Sequence, residues 1–269
     1  MPKIVFWSPE AVETGQTHAA IAISTLMAME EDYSNILIPG QWQAKKIGTA
    51  FENYELLMTK GVFTNSSIGL TALARLVSSN KITPEAIRNY SKPILKQRLD
   101  IIYGTNVNSR EQFDLLIANF SSIIQKASEA YDIVWVDLPK TTEKEYIVET
   151  LKQADLVICT FNQEVALLND YLRNINSMDV LKDKKKIILM CNYEEKSKYN
   201  IPNIRREYGI KDPVFCIPHN FIYSDACNDG DVVEGFFYKN IAADTNDYNG
   251  YFISETRKVV KKVLDLVKI

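Results

Sequence analysis

The chain has 269 residues, of which 46% are hydrophobic and 24% are charged, and its formal net charge at pH 7 is -3. This composition is typical of an ordinary globular protein with a sizeable core, and the slightly acidic balance excludes an overall basic surface for nucleic acid. Because the chain contains two histidines, a histidine-rich metal site is not expected.

Short apolar segments predict β-strands along the whole chain. Most of them are apolar at nearly every position, which is typical of strands that are covered on both faces. In chain order, the seven predicted strands are 3–7, 35–39, 99–104, 131–139, 154–161, 185–193 and 213–218.

Segments with helical periodicity separate these strands. They cover residues 18–31, 42–59, 67–78, 84–97, 110–129, 142–152, 164–181, 200–207 and 254–268. The repeated alternation predicts an α/β fold: a doubly wound, mostly parallel sheet of about seven strands flanked by helices, in one domain over residues 1–269.

The loop after the first strand reads "SPEAVETGQT". Ligands of open parallel sheets bind beyond the carboxyl ends of the strands, so this loop is a candidate site. Gly15 and Thr17 match the end of a phosphate loop, GxxxxGK[ST], but Gln16 stands where the lysine should be and Glu13 adds a negative charge. The spacing alone allows either a phosphate loop or a turn unrelated to nucleotides.

Asp137 ends the apolar strand "YDIVWVD". A carboxylate at this position holds magnesium through water in phosphoryl-transfer proteins. An aspartate that ends a strand also begins turns, here before Pro139. The sequence leaves both interpretations open.

The order and spacing of several segments resemble the MinD/ParA family of deviant-Walker ATPases, and most closely its TadZ/CpaE branch. These segments are "FWSPEAVETGQTHAAIAIS", "YDIVWVDLP", "ADLVICTFNQE", "KIILMCNY" and "FCIPHN". The resemblance implies a P-loop NTPase fold and a vestigial nucleotide site. That site would consist of Thr14, Gly15, Gln16, Thr17, Asp137 and Asn192, with Thr17 and Asp137 as candidate magnesium ligands and Asn192 beside the base.

The departures from the family pattern concern its charged groups. Ala11 and Gln16 stand where the family has its two loop lysines, and Pro39 and Gly40 stand where it has an aspartate that prepares the attacking water. Removing one transition-state contact costs about 10²–10³ in rate, so losing three predicts a pseudo-ATPase with no catalytic residue. No cofactor is expected; weak binding of ATP or ADP with magnesium is the alternative.

The function implied by the resemblance is that of a non-catalytic assembly or localisation factor, for a Tad or type IV-like pilus or a secretion system. The alternative is an atypical ATP-dependent switch of the ParA/MinD partitioning class. The expected partners are other proteins of a pilus, secretion or polar-localisation system, with a homodimer as a further option and nucleic acid not expected.

Four further features have two interpretations each. The segment 254–269 is a basic amphipathic helix that closes the fold or contacts a membrane surface, and we favour the closing helix. The run "KDKKKII" (182–188) is the polar start of a strand or a DNA contact, and 228–236 is a polar surface loop or a loose calcium loop. Trp7, Trp42 and Trp135 fall at strand ends, where core or crevice packing explains them, and Trp42 is also a candidate contact for a partner protein.

The sequence also predicts a compartment. Cys159, Cys191, Cys216 and Cys227 are far apart and form no CxxC pair, which predicts buried free thiols in a reducing environment. The sequence contains no signal-peptide pattern and no apolar stretch of the ~18–20 residues that span a bilayer. We expect a cytoplasmic protein, with recruitment to the inner face of the membrane as the alternative.

Overall fold

A computed structural model describes residues 1–8, 13–40, 45–62, 67–104, 110–138, 144–166, 168–169 and 178–268. These residues form an eight-stranded sheet with the strand order β3-β4-β2-β5-β1-β6-β7-β8. The strands are β1 (Lys3–Trp7), β2 (Asn35–Pro39), β3 (Lys92–Leu95), β4 (Leu99–Ile101), β5 (Ile133–Asp137), β6 (Leu156–Phe161), β7 (Lys186–Tyr193) and β8 (Val214–Pro218). All neighbouring pairs are parallel except β3 with β4. The predicted fold class is confirmed.

The helices cover both faces of this sheet. They are α1 (Gln16–Glu30), α2 (Lys46–Phe51), α3 (Tyr54–Thr59), α4 (Gly69–Ser78), α5 (Pro84–Asn89), α6 (Arg110–Ala130), α7 (Lys144–Gln153), α8 (Asp179–Lys182), α9 (Ile201–Tyr208), α10 (Phe221–Asp229), a π-helix (Val232–Phe237), α11 (Tyr238–Asn240) and α12 (Tyr248–Val267). Alternate residues of each strand face opposite layers, as Ile4 and Phe6 of β1 do on one side and Val5 and Trp7 on the other.

The two layers have separate hydrophobic cores. Helices α1, α2, α3, α10 and α12 and the π-helix pack on one face, while α4 to α9 pack on the other. Ala19, Ala20 and Ala22 of α1 are fully buried. These small side chains let α1 lie close to the central strands, which fixes the position of the loop that precedes it.

The prediction of a helix over 84–97 is wrong in its second half. The helix α5 ends at Asn89, and Lys92–Leu95 form the antiparallel edge strand β3. Pro93 disfavours helical backbone at Lys92, and an edge strand tolerates the missing N–H of a proline. The predicted helix 42–59 is likewise divided, because Glu52 is extended and the Asn53 side chain caps α3.

The prediction of a polar surface loop over 228–236 is also wrong. This segment holds the end of α10 and most of the π-helix, and Val232, Phe236 and Phe237 are buried. Within the described ranges there is no group of three His, Cys, Asp or Glu side chains that could hold a metal ion. The apolar residues of the segment explain its structure without a ligand.

The C-terminal helix packs as a closing helix. It begins at Tyr248, earlier than predicted, because Asp247 caps its first turn. Val259, Val260 and Val263 are buried, and Arg257 forms an ion pair with Glu30 of α1. Among the described helices, not one combines the length and the hydropathy that crossing a membrane requires. Membrane contact through 254–269 stays a prediction.

The remaining aromatic and thiol predictions concern the core. Trp7 and Trp135 are buried, and Trp135 Nε1 donates a hydrogen bond of 3.0 Å to Asn35 Oδ1. Trp42 lies outside the described residues. The four cysteines are free and buried, as predicted.

The lysines of the run 184–186 bind the carboxyl ends of helices. Lys184 Nζ donates to the carbonyls of Lys152 and Ala154 at the end of α7, at 2.7 and 2.6 Å. Lys186 Nζ donates to the Leu181 carbonyl in α8 at 2.7 Å, and Lys185 Nζ donates to a carbonyl of α12. Carbonyls at a helix end carry partial negative charge, so these ammonium groups have a structural role.

We predict that Lys184→Met lowers the free energy of unfolding by about 1 kcal/mol, because two carbonyls lose a charged donor. Urea unfolding of the variant and the parent measures this change. Lys211→Met is the matched control, since Lys211 is exposed and has no hydrogen bond or ion pair to any described residue. Equal losses in the two variants would contradict the structural role of Lys184.

Candidate functional site

The carboxyl ends of β1, β5 and β7 meet at one edge of the sheet, and the loop before α1 lies across it. Gly15 precedes α1 with a left-handed φ of 85°. A Cβ atom on Gly15 would lie 3.0 Å from Asn192 Nδ2 and 3.1 Å from Cys191 Cβ. This position therefore requires glycine both for its backbone conformation and for the close approach of β7.

Gln16 is the first residue of α1, and its side chain is 1% exposed. Its Nε2 donates to Asp137 Oδ1 at 2.7 Å and to the Leu138 carbonyl at 2.9 Å. Its Oε1 accepts a hydrogen bond of 3.0 Å from Thr160 Oγ1 in β6. A neutral amide thus uses both donors and its acceptor to join the loop to β5 and β6.

Asp137 ends β5 and is 1% exposed. Besides the Gln16 amide it accepts a hydrogen bond from Thr17 Oγ1 at 2.7 Å, on Oδ2. A buried carboxyl group needs hydrogen-bond partners. The Gln16 and Thr17 side chains each supply one, and so hold the start of α1 against the end of β5.

Thr14 and Thr160 complete the buried polar group. Thr14 is 2% exposed, and its Oγ1 lies 3.4 Å from Thr160 Oγ1. Pro39 ends the neighbouring strand β2, in register with Asp137. The N–H of the next residue, Gly40, donates to the Asp137 carbonyl at 2.9 Å.

A cavity of about 380 Å³ lies beside this group. Its lining comes from the loop, from the starts of α1, α2 and α10, and from the end of β7. The described residues that line it are Glu13, Gly15, Gln16, Thr17, His18, Lys46, Asn192, His219 and Ser224. Both histidines of the chain therefore face one cavity.

Asn192 reaches this cavity through an irregularity in β7. Its φ is 50°, and the register between β7 and β8 shifts between Cys191 and Tyr193. The residue is exposed within an otherwise buried strand. The irregular backbone turns Asn192 toward Gly15 and the cavity. In a regular strand, the residue at this position would face one of the two hydrophobic cores.

Two ionisable side chains set the charge at the cavity mouth. Lys46 Nζ lies 3.0 and 3.2 Å from the two carboxylate oxygens of Glu13. Both side chains are largely exposed, at 59% for Lys46 and 83% for Glu13. Lys46 is the one lysine among the described lining residues, and its positive charge is neutralised by the loop itself.

Burial lowers the pKa of His18, and the positive charge of Lys46 lowers it further. Its ring lies edge-on to Tyr223 with centroids 6.0 Å apart, and Tyr223 Oη donates to the His18 carbonyl at 2.7 Å. The Glu13 carboxylate opposes this shift, but the net lowering of the pKa favours the neutral form of His18, which adds no positive charge to the cavity.

All six predicted site residues lie in one region: Thr14, Gly15, Gln16, Thr17, Asp137 and Asn192. Their roles as nucleotide or magnesium ligands stay predictions. Ala11 and Trp42 lie outside the described residues.

Sequence analysis did not identify Thr160, Lys46, His219 or Ser224 as site residues, because each comes from a distant segment. The polar Thr160 in an otherwise apolar strand is the one signal that could have indicated its role.

Comparisons with known proteins support the same fold. No protein-family model matches the chain, and no curated protein sequence matches it. Several solved structures are similar over nearly the whole chain. One is a ParA family ATPase from Chlorobium tepidum TLS, with a TM-score of 0.73, 13% identity, and coverage of 97% of this chain and 98% of that chain.

Two further structures widen the comparison. A putative plasmid partition protein from Borrelia burgdorferi B31, bound to AMPPNP, has a TM-score of 0.64 and 16% identity, with complete coverage of both chains (100% and 100%). The MinC:MinD cell division protein complex of Aquifex aeolicus has a TM-score of 0.66, 17% identity, and coverage of 97% of this chain and 96% of that chain. The chain therefore has the P-loop NTPase fold of the ParA and MinD ATPases. At these identities the likeness establishes the fold, and function has to be argued from the site.

We predict that Gln16→Met lowers the free energy of unfolding by about 2–3 kcal/mol, because buried oxygens lose their donors. Urea unfolding measures the change. Gln163→Met is the matched control: Gln163 Nε2 also donates to two carbonyls, of Glu194 and Tyr199, each at 3.0 Å, but the residue is half-buried. Water can replace its bonds, so we expect a loss of about 1 kcal/mol there. A loss at position 16 no larger than the control would contradict the buried network.

We predict that the stability of the protein falls as the pH is lowered below about 6.5, and that His18→Gln reduces this dependence. The pKa of His18 is lowered in the folded state, so the unfolded state binds the proton more readily and gains stability from it. Melting temperatures of the parent and the variant across this pH range test the prediction. Parallel pH profiles would show that His18 is not responsible.

Proposed function

We propose that this chain is a non-catalytic ParA/MinD-like protein that acts as an assembly or localisation factor through contacts with other proteins. The observation that carries the proposal is the Gln16 side chain. Its neutral amide occupies the buried space between Asp137 and Thr160, with hydrogen bonds of 2.7 and 3.0 Å. A phosphate loop needs a cationic side chain at this point to neutralise the β and γ oxygens of a nucleotide.

The remaining charges around the cavity support the same proposal. The described lining offers Lys46 as its one lysine, paired with Glu13, and His18 is neutral. Phosphoryl transfer depends on positive groups that stabilise charge on the transferred oxygens. A cavity whose cation is already neutralised by a loop carboxylate does not provide that stabilisation.

Magnesium would have two oxygen ligands here, Thr17 and Asp137, and oxygen donors are the ligands that this ion takes. Their oxygens lie 2.7 Å apart, but the phosphates that would complete the coordination lack a cationic cradle in the described lining. The described residues therefore do not fit a tightly held magnesium triphosphate, and we assign no reaction step to it.

Exposed apolar side chains beside the cavity support a role in protein contacts. Phe221 and Ile222, at the start of α10, are 56% and 37% exposed. Tyr248 stacks on Phe221 with ring centroids 5.4 Å apart. Aromatic side chains of this kind are frequent anchors in protein interfaces. One of the structures with a similar fold, from Aquifex aeolicus, is a MinC:MinD complex. This supports the proposal that the present chain also binds a protein partner.

The proposed setting is a Tad or type IV-like pilus or a secretion system, and it rests on the resemblance of the quoted segments to the TadZ/CpaE branch. The alternative is an ATP-dependent switch of the partitioning class. Two observations favour that alternative: the Thr17 and Asp137 side chains are in contact, and the Borrelia structure of the same fold holds AMPPNP.

We predict that magnesium and ATP neither raise the melting temperature of the full chain nor yield measurable phosphate release. A ligand at 100 times its dissociation constant would add about 2.7 kcal/mol of stability, which a thermal shift assay detects readily. Magnesium alone is the control for a nonspecific ion effect. Phosphate release above the rate without protein would reject the non-catalytic function, and a clear upward shift with ATP would favour the switch.

A further inference from the structure

The ion pair between Glu13 and Lys46 joins two separate parts of the cavity wall. Glu13 belongs to the loop before α1, and Lys46 is the first residue of α2. The ammonium group contacts both carboxylate oxygens, at 3.0 and 3.2 Å. Within the described residues, Glu13 is the one acidic partner of Lys46.

The charge of Lys46 acts on the inside of the cavity as well as on its rim. Lys46 and Glu13 both line the cavity, and their charges have opposite effects on the pKa of the half-buried His18. An anion that entered this cavity would therefore meet an ammonium group that already holds a carboxylate.

We propose that the Glu13–Lys46 pair is an autoinhibitory contact, in which the Glu13 carboxylate competes with small phosphate-bearing ligands for Lys46. The inference rests on the proposed function, in which the cavity does not turn over a nucleotide. The inference goes beyond that function because the Glu13 side chain lowers the affinity of the cavity for phosphate groups. Displacement of Glu13 frees a cation that faces a space of about 380 Å³.

The test uses Glu13→Gln in the full chain and inorganic pyrophosphate as the probe, with isothermal titration calorimetry at low ionic strength. The substitution keeps the size of the side chain and removes its charge. We expect pyrophosphate to bind about three- to tenfold more tightly than to the parent, since an exposed ion pair contributes up to about a factor of five and the removed charge also repels the probe. Added salt should reduce the gain, because both side chains are exposed.

Asp179→Asn is the matched control. Asp179 pairs with Lys182 at 2.6 Å, and these two side chains are 89% and 59% exposed, close to the values for Glu13 and Lys46. The control makes the same change in net charge on α8, on the opposite helix layer from α1 and α2. If Glu13→Gln and Asp179→Asn bind pyrophosphate alike, including the case in which neither binds, the inference is overturned.

The double variant Glu13→Gln/Lys46→Gln identifies the cation. It should bind pyrophosphate no more tightly than the parent, and a gain that survives the loss of Lys46 would overturn the competition. These outcomes are separate from those of the proposed function, which is decided by phosphate release from ATP in the parent protein.

Discussion

A buried carboxylate at the end of a central strand is the constraint around which the site is built. Asp137 is 1% exposed, and a carboxyl group at that depth is tolerated only with good hydrogen-bond partners. The start of α1 provides them through Gln16 and Thr17. The same bonds fix the helix to the sheet, so the polar group holds the architecture together while it shapes the site. A neutral amide at position 16 does this without placing a positive charge beside the cavity.

Several basic side chains bind acidic groups or carbonyl oxygens of the same chain. Lys46 binds Glu13, Arg257 binds Glu30, and the lysines of 184–186 bind carbonyls at helix ends. From the sequence alone, these basic side chains could be expected to bind a membrane, a nucleic acid or a phosphate. The fold of an ATPase is thus combined with a cavity of little free positive charge, and this combination is the physical basis for proposing a role in protein contacts.

The site was predicted from the sequence in part. Gly15, Thr17 and Asp137 were identified because each lies at or after the end of a strand that the apolar pattern reveals, and parallel strands bring their carboxyl ends to one edge. Asn192 was identified through the family resemblance. Lys46 and His219 were missed because their proximity depends on how α2 and α10 pack. The partners of Gln16 were missed for the same reason: Thr160 comes from a strand 144 positions away. Spacing along the chain carries no signal for such contacts.

The sequence alone determined the α/β fold, with a mostly parallel sheet between two layers of helices. Strands that are apolar on both faces and alternate with helices can bury their apolar surface in few other arrangements. The sequence also showed that the loop before α1 contains no lysine. Tertiary structure decided that 92–95 is an edge strand, that 228–236 is part of the core, and that Lys46 and Arg257 form ion pairs with Glu13 and Glu30. The reason is physical: periodicity reports which faces are apolar, whereas hydrogen bonds and ion pairs form between segments that only the packed sheet brings within about 3 Å of one another.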